Sequence, residues 1–370
     1  MKESNKRLDF LDCIRGLAAL AVFMEHAGDR LWPHFNEFTH DSFSVGKFGV
    51  AAFFLTSGFV IPFSLERGNS LKAFWISRFF RLYPLYWLSI AVVSGLYLLG
   101  VSVVDSAYPL HMARNAMINL TMFQEFVKVP DAEPLYYTLA MEMVFYVSFS
   151  VLFVTKLNHY SLRIAWLGCA ALSVVGIAAP LLLHRRVPLA GLFYFLCLSV
   201  GTSVYRNFRG EVSGRMLTAL IGCILLGGII EIYCNYAFVK KDDLTERFTF
   251  WAVFLPWFGA YVLFLGAYLL RAHRFPRMLV WLGTISYSLY LLHSPFVVLV
   301  PRWSNLFFSF AVMLAVTIMG SSLTYLLVEK PFIDWGKRIQ IQVTRLPEAA
   351  IAIERPAAAS ALALKRRSRY

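Results

Sequence analysis

Charge is scarce in this 370-residue chain: Asp, Glu, Lys and Arg together make up 15% of it, against about 25% in an ordinary soluble domain. Set beside 58% hydrophobic residues and a mean hydropathy of +0.60, that scarcity excludes a water-soluble fold. Acid is scarcer still, with 22 Asp and Glu against 35 Lys and Arg, a formal net charge of +13. In a soluble protein such an excess would point to nucleic acid. Here the basic residues fall between apolar runs, where they set orientation in a bilayer, and nucleic acid is set aside as a partner. Cysteine is sparse as well. Cys13, Cys169, Cys197, Cys223 and Cys234 lie mostly inside apolar segments with no paired or metal-like spacing, so they read as small core residues and imply no metal site. A small-residue cleavage site is lacking after the first apolar run, which ends in Glu25 and His26. That run therefore reads as a retained helix rather than a signal peptide.

What the chain has is apolar length. Runs of about 20 residues, enough to cross a bilayer core, recur to residue 328. They predict an all-α, polytopic integral membrane protein of about ten transmembrane helices, near 9–28, 45–65, 83–104, 135–155, 163–183, 187–204, 216–237, 249–270, 278–299 and 305–328. An even number puts both termini on one side. The segments carrying Arg67, Lys72, Arg78 and Arg81, then Lys156 and Arg163, then Arg206, Arg209 and Arg215, then Arg271, Arg274 and Arg277 share a side with Lys2, Lys6 and Arg7. The positive-inside rule makes that side cytoplasmic, with Arg185 and Arg186 dissenting. Residues 8–338 read as one transmembrane domain in a cell membrane. Residues 339–370, alternating Ala-rich and basic stretches without a spanning segment, read as a loose cytoplasmic tail.

Ionisable residues inside the spans carry the functional information, because each is costly in lipid unless it faces a partner or a cavity. In "LDCIRGLAALAVFMEHAG", residues 11–28, Arg15 and His26 are 11 positions apart. At about 100° per residue this brings them within roughly 20° of the same helix face, about 16 Å apart along the axis. Asp12 stands one turn before Arg15 as its partner. Snorkelling of Arg15 to the headgroups, with His26 marking the outer interface, would explain the pair without chemistry. The fourth span, "LYYTLAMEMVFYVSF", places Glu142 in its outer half at a depth similar to His26. The ninth, "WLGTISYSLYLLHSPF", places His293 there too, with Ser286 and Tyr290 on nearby turns, although alone His293 reads as a helix-end residue before Pro295.

Together these groups suggest a proton-transfer site in which neutral His26 takes a proton from an alcohol and Glu142, or Glu25, orients the imidazolium. On the opposite side "FWISRFFRLYPLYW" sets Arg78 and Arg81 three residues apart just before the third span. They either enforce orientation or, with Arg15 near them in depth, hold the phosphates of a large anionic donor. Small residues in "GKFGVAAFFLTSGFVIPF" let helices approach closely. Glu329 beside Lys330 reads as an interface ion pair, Glu231 receives no role, and "NAMINLTMFQEF", in the stretch 105–134, is apolar enough to dip into the interface. A secondary transporter, with many spans, Gly-rich helices and a few midplane charges, is the alternative reading, although no repeated halves are evident.

The opening helix with its R-x10-H arrangement, "GVAAFFLTSGFVI", "RFFRLYP", "YTLAMEMVFY", "SYSLYLLHSPF" and "YLLVEKPF" resemble, in order, the membrane-bound acyltransferase family 3, over roughly residues 8–338. Each motif alone is weak; six in the family's order are specific. The resemblance implies an O-acyltransferase that uses cytoplasmic acyl-CoA, commonly acetyl-CoA, as donor co-substrate and holds no permanent cofactor. Its implied acceptor is a hydroxyl of an extracytoplasmic carbohydrate or glycolipid, such as a surface polysaccharide or lipopolysaccharide. It implies catalytic roles for Arg15, His26 and the fourth-helix acid Glu142, and donor binding by Arg15 with Arg78 and Arg81. The fourth helix departs from the pattern, with Tyr137 where Trp is usual and Glu142 as a single acid followed by Met143.

Overall fold

The computed structural model describes residues 8–101, 103–184, 189–238 and 248–343. Among the described residues the regular structure is helical and contains no strand. Helices suit a bilayer because each satisfies its backbone hydrogen bonds internally. Helix α1 (Asp9–Leu31) opens with Asp9 and Asp12 in its first turn, where carboxylates are favoured by the helix dipole, and stops where Trp32 turns extended ahead of Pro33. The nine-residue α2 (Pro33–Asp41) follows. Ser44 then caps α3 (Val45–Gly68) and Ser70 caps α4 (Leu71–Leu98), each hydroxyl accepting a backbone N–H of the first turn.

The connection from α4 to α6 (Tyr137–Val154) contains the short α5 (Met112–Asn119). Next come α7 (Ser161–Leu183), α8 (Leu189–Phe208), α9 (Gly214–Ala237) and α10 (Phe250–Leu269). Helices α11 (Arg277–Thr284) and α12 (Ser286–Leu299) meet at Ile285 with a bend of 73°, and the Ser286 hydroxyl donates to the Gly283 carbonyl at the break, 2.9 Å away. Helix α13 (Leu306–Thr324) runs through a π-helical turn, Tyr325–Glu329, into helix that reaches Val343.

Seven of these helices are long and apolar enough to cross a membrane, and eight if the bent pair is one span. The difference from the predicted ten lies in α1 and α8, which have spanning length at 23 and 20 residues. Helix α1 carries Asp12, Arg15, Glu25, Asp29 and Arg30, and α8 ends in Thr202, Ser203, Arg206 and Asn207. Both pack on protein, α1 on α3, α11 and α12 and α8 on α3 and α7, so these side chains meet polar partners instead of lipid. Helix α3 is the centre, with 67% of its most apolar stretch buried in the protein against 17% for the α7 span. The α7 and α13 faces present Val174, Leu182, Phe307 and Met319 outward, as lipid contact requires.

Where α3 meets α8 the backbones touch. A Cβ on Gly58 would lie 2.2 Å from the Leu198 carbonyl oxygen, and one on Gly201 would lie 2.2 Å from that of Leu55, so the small residues of α3 serve close packing. The cysteines are free and four of the five are buried. The stretch before α6 lies along α4, with the Trp87 ring N–H donating to the Leu120 carbonyl at 3.0 Å and the Tyr136 hydroxyl to Ser89 at 2.7 Å. Within it, burial pushes the Asp131 carboxyl up to about 8, against the pull of the Gln124 amide that donates to it.

Two predicted boundaries move. Helix α4 starts at Leu71, so Arg78 and Arg81, expected just before the span, sit inside it. The last helix passes the expected end of the membrane domain at 338 and continues to Val343. Residues 344–370 of the expected tail, and the dissenting Arg185 and Arg186, lie outside the described residues.

Candidate active site

A cavity of about 760 Å³, part of it open to solvent, runs between α1, α3, α4, α6 and α12. Its wall along α3 extends from Val50 to Ile61, roughly 16 Å at the helical rise. Arg15, Arg78, Arg81 and Glu142 all line it, so four of the five residues predicted from the sequence come together here. Arg78 and Arg81 share a face of α4 because they are one turn apart, and Arg15 reaches the same space from α1.

Arg78 is 8% exposed. Its guanidinium carbon sits 5.3 Å from the Phe74 ring centroid and 5.5 Å from that of Tyr146, within cation–π range. Among the described residues its Nε–H has no hydrogen-bond partner. A buried donor left unmade costs about 1–3 kcal/mol, so the site favours an acceptor that completes it. Asp12 and Glu329 lie within electrostatic reach of Arg15, as does Arg81. Glu329 is not the interface partner of Lys330 that the sequence suggested. The π-helical turn carries it inward, where it is 2% exposed and accepts from the Ser288 hydroxyl at 2.8 Å.

Glu142 requires a second correction. Its Oε1 accepts hydrogen bonds from Ser57 at 2.8 Å and from Tyr146, one turn along α6, at 2.7 Å; neither bond involves His26. Packing fixes its depth. A Cβ on Gly49 would meet the Ala18 carbonyl, and the Phe59 ring lies 5.8 Å from that of Phe10, so Ser57 is level with the first turns of α1. Glu142 therefore belongs with Arg15, at the opposite end of α1 from His26. Counting residues along the fourth span misplaces it because α6 starts against Ser89, nine residues short of the end of α4 at Leu98.

His26 occupies the other end. It is exposed, and its ring centroid lies 5.0 Å from that of His293, which is fully buried. The two histidines adjoin the cavity through Tyr290, which lines it and whose ring lies 6.3 Å from that of His293. Tyr290 in turn is held by Thr138, hydroxyl to hydroxyl at 2.8 Å. Glu25 does not orient His26: its Oε2 accepts from the Ser44 hydroxyl at 2.9 Å and the Gly46 amide at 2.8 Å, which fastens α1 to the start of α3. The acid whose charge acts on His26 is Asp29, one turn further along α1, a residue the sequence reading passed over although the i, i+3 spacing was visible. Ser57 and Tyr146 were also missed; Tyr146 is legible as the i+4 neighbour of Glu142, whereas nothing in the sequence marks Ser57.

The arrangement has two poles. One gathers three guanidinium groups and a carboxylate; the other holds a solvent-accessible imidazole backed by a buried one. An aromatic and aliphatic wall that includes Phe53, Phe54 and Leu139 lines the cavity between the first pole and Tyr290, beside which the histidines lie.

A family model described as an acyltransferase domain matches residues 8–328. Acyltransferase MdmB of Streptomyces mycarofaciens is 27% identical over 186 residues, 47% of this chain and 46% of that protein. Nodulation protein 10 of Rhizobium leguminosarum bv. viciae is 26% identical over 159 residues, 38% of this chain and 43% of that protein. The matches thus span less than half the length of each of these relatives. No solved structure matches.

Proposed function

The chain belongs to this acyltransferase family, and from that premise we propose that it is a membrane enzyme that moves an acetyl group from acetyl-CoA to a hydroxyl of an extracytoplasmic carbohydrate, such as a surface polysaccharide or lipopolysaccharide. In this reading the protein sits in the cell's inner membrane with both termini cytoplasmic. The donor enters at the arginine pole. Its phosphates engage Arg78 and Arg81, with Arg15 deeper along the cavity, as guanidinium forks suit phosphate oxygens. The pantetheine arm follows the apolar wall toward Tyr290, which delivers the thioester to His26.

Neutral His26 accepts the proton of the acceptor hydroxyl as its oxygen attacks the thioester carbonyl carbon. The new C–O bond forms, the C–S bond breaks, and the proton on His26 passes to the leaving sulfur, so that an ester and free CoA result. Asp29, one turn away, stabilises the transient imidazolium.

The observation that carries this reading is the cavity itself, whose lining joins a cluster of three arginines to the neighbourhood of an exposed histidine. The test is transfer of label from acetyl-CoA to a cell-surface glycan extract by the purified protein in lipid. His26→Ala is expected to abolish incorporation while retaining acetyl-CoA binding. Wild-type incorporation by both His26→Ala and Arg15→Ala would overturn the assignment.

A further inference from the structure

His293 lies outside the lining of the cavity, yet its environment is unusually determined. It sits on α12 fully buried, and its Nδ1 faces two backbone carbonyls of its own helix, Tyr290 at 2.8 Å and Leu289 at 3.2 Å. A carbonyl oxygen can only accept, so the Nδ1 must carry a hydrogen. In a neutral imidazole the Nε2 is then a bare lone pair, and here that Nε2 is buried with no hydrogen-bond partner among the described residues.

An unpaired buried acceptor costs about 1–3 kcal/mol, which favours a donor within reach. Among the described residues, the aromatic ring packed most closely on that of His293 is His26, centroid to centroid 5.0 Å and inclined by 56°. A ring nitrogen lies about 1 Å from its centroid, so two rings at this separation bring facing nitrogens to about 3 Å, hydrogen-bond distance, once the side chains turn toward each other. Catalytic hydrogen bonds are often loose in a substrate-free site and tighten when substrate arrives.

We infer that His293 is a positioning residue for His26: its Nε2 accepts the N–H of His26, locks His26 in one tautomer and leaves the other His26 nitrogen as the lone pair that receives the acceptor's proton. His293 does for His26 what a carboxylate does in a catalytic triad, but without a charge. Its own proton never moves, because the helix carbonyls hold it. Asp29 remains the charged neighbour of His26, acting through space, while its carboxylate accepts from the Thr39 hydroxyl at 3.2 Å. The catalytic part of this inference rests on the acyl-transfer reading; the tautomer lock stands on geometry alone.

Two measurements separate those parts. In protein labelled with 15N-histidine and held in lipid nanodiscs, nitrogen spectra should show His293 protonated at Nδ1 and His26 in a single tautomer. His293→Phe keeps an aromatic ring of similar bulk without the lone pair, and should turn His26 into a mixture of tautomers. In the transfer assay the same variant should lose kcat by on the order of 10²–10³-fold with the KM for acetyl-CoA unchanged. His293→Gln, whose side-chain oxygen reaches the place of Nε2, should recover at least about tenfold of that loss. Should His293→Phe not fold, His293→Asn, which retains the contact to the helix carbonyls but not the acceptor, takes its place in both experiments. A His26 spectrum identical in wild type and variant overturns the lock whatever the activity does, and undiminished kcat in the variant overturns its catalytic part. A wild-type protein that transfers no acetyl group would defeat the functional reading, and the spectra would still decide the lock.

Discussion

Arg78 is buried between two aromatic rings with one donor unmet, and Arg81 shares its cavity. Each charge-assisted hydrogen bond from such a guanidinium to phosphate is worth about 1.5–3 kcal/mol, so Arg78→Ala and Arg81→Ala should each weaken acetyl-CoA binding by at least tenfold while the dependence on acceptor concentration stays the same. Equilibrium binding of acetyl-CoA to the detergent-solubilised variants measures this directly. An unchanged affinity would return the two arginines to a purely orienting role. At this scale the sequence is most legible where an apolar span carries a charge. Arg15, Arg78, Arg81 and Glu142 stand out in the sequence, since a charge in a span is costly, and all four line one cavity. The pairing of Glu142 with His26 was wrong, because which charges meet depends on where each helix starts, and α6 starts deep.

At the scale of the helices, the position of Arg15 depends on how closely α1 lies on α11. A Cβ on Gly283 would fall 1.9 Å from the Asp12 carbonyl oxygen, and one on Gly16 would fall 2.7 Å from that of Leu279. Both obstacles are backbone, which cannot rotate away. Gly283→Ala must therefore push α1 off α11, at a cost typical of overpacking, about 1–3 kcal/mol or more. The displacement occurs one turn from Arg15. A lowered melting temperature in lipid, accompanied by a raised KM for acetyl-CoA, is the expected outcome; a variant as stable and active as wild type would mean that the helices are not in backbone contact. The break at Ile285 and the π-helical turn at Tyr325–Glu329 belong to the same story. Ser288 and Glu329 join these two irregularities and place a carboxylate near Arg15 and Arg81. Neither interruption is legible in the sequence, where both stretches read as continuous apolar spans.

For the whole molecule, Arg206 is the fastening between distant parts of the chain. Expected to mark a connecting loop, it is instead 3% exposed within α8. It donates to Glu66 at 2.6 Å, to the Ser161 hydroxyl at 2.8 Å, to the Asn158 carbonyl at 2.6 Å and to Glu211 at 3.1 Å, tying α3, the start of α7 and the approach to α9 together. Removing one partner of a buried pair leaves the other charge uncompensated, at about 3–5 kcal/mol. Arg206→Ala should accordingly lower the melting temperature markedly while the folded fraction keeps its KM for acetyl-CoA, since Arg206 is absent from the cavity lining. Thermal unfolding monitored beside transfer kinetics would show this, and a loss of activity without loss of stability would contradict it. By itself the sequence determined the solvent, the helical class and the residues rich enough in chemistry to matter, because hydropathy and the cost of intramembrane charge are local properties of the chain. Only the tertiary structure decided which of those charges share a cavity, that α1 and α8 are wrapped by protein, and that His26 faces His293 and not Glu142. Those outcomes depend on helix starts, breaks and backbone contacts between segments far apart in the chain, where no local pattern reaches.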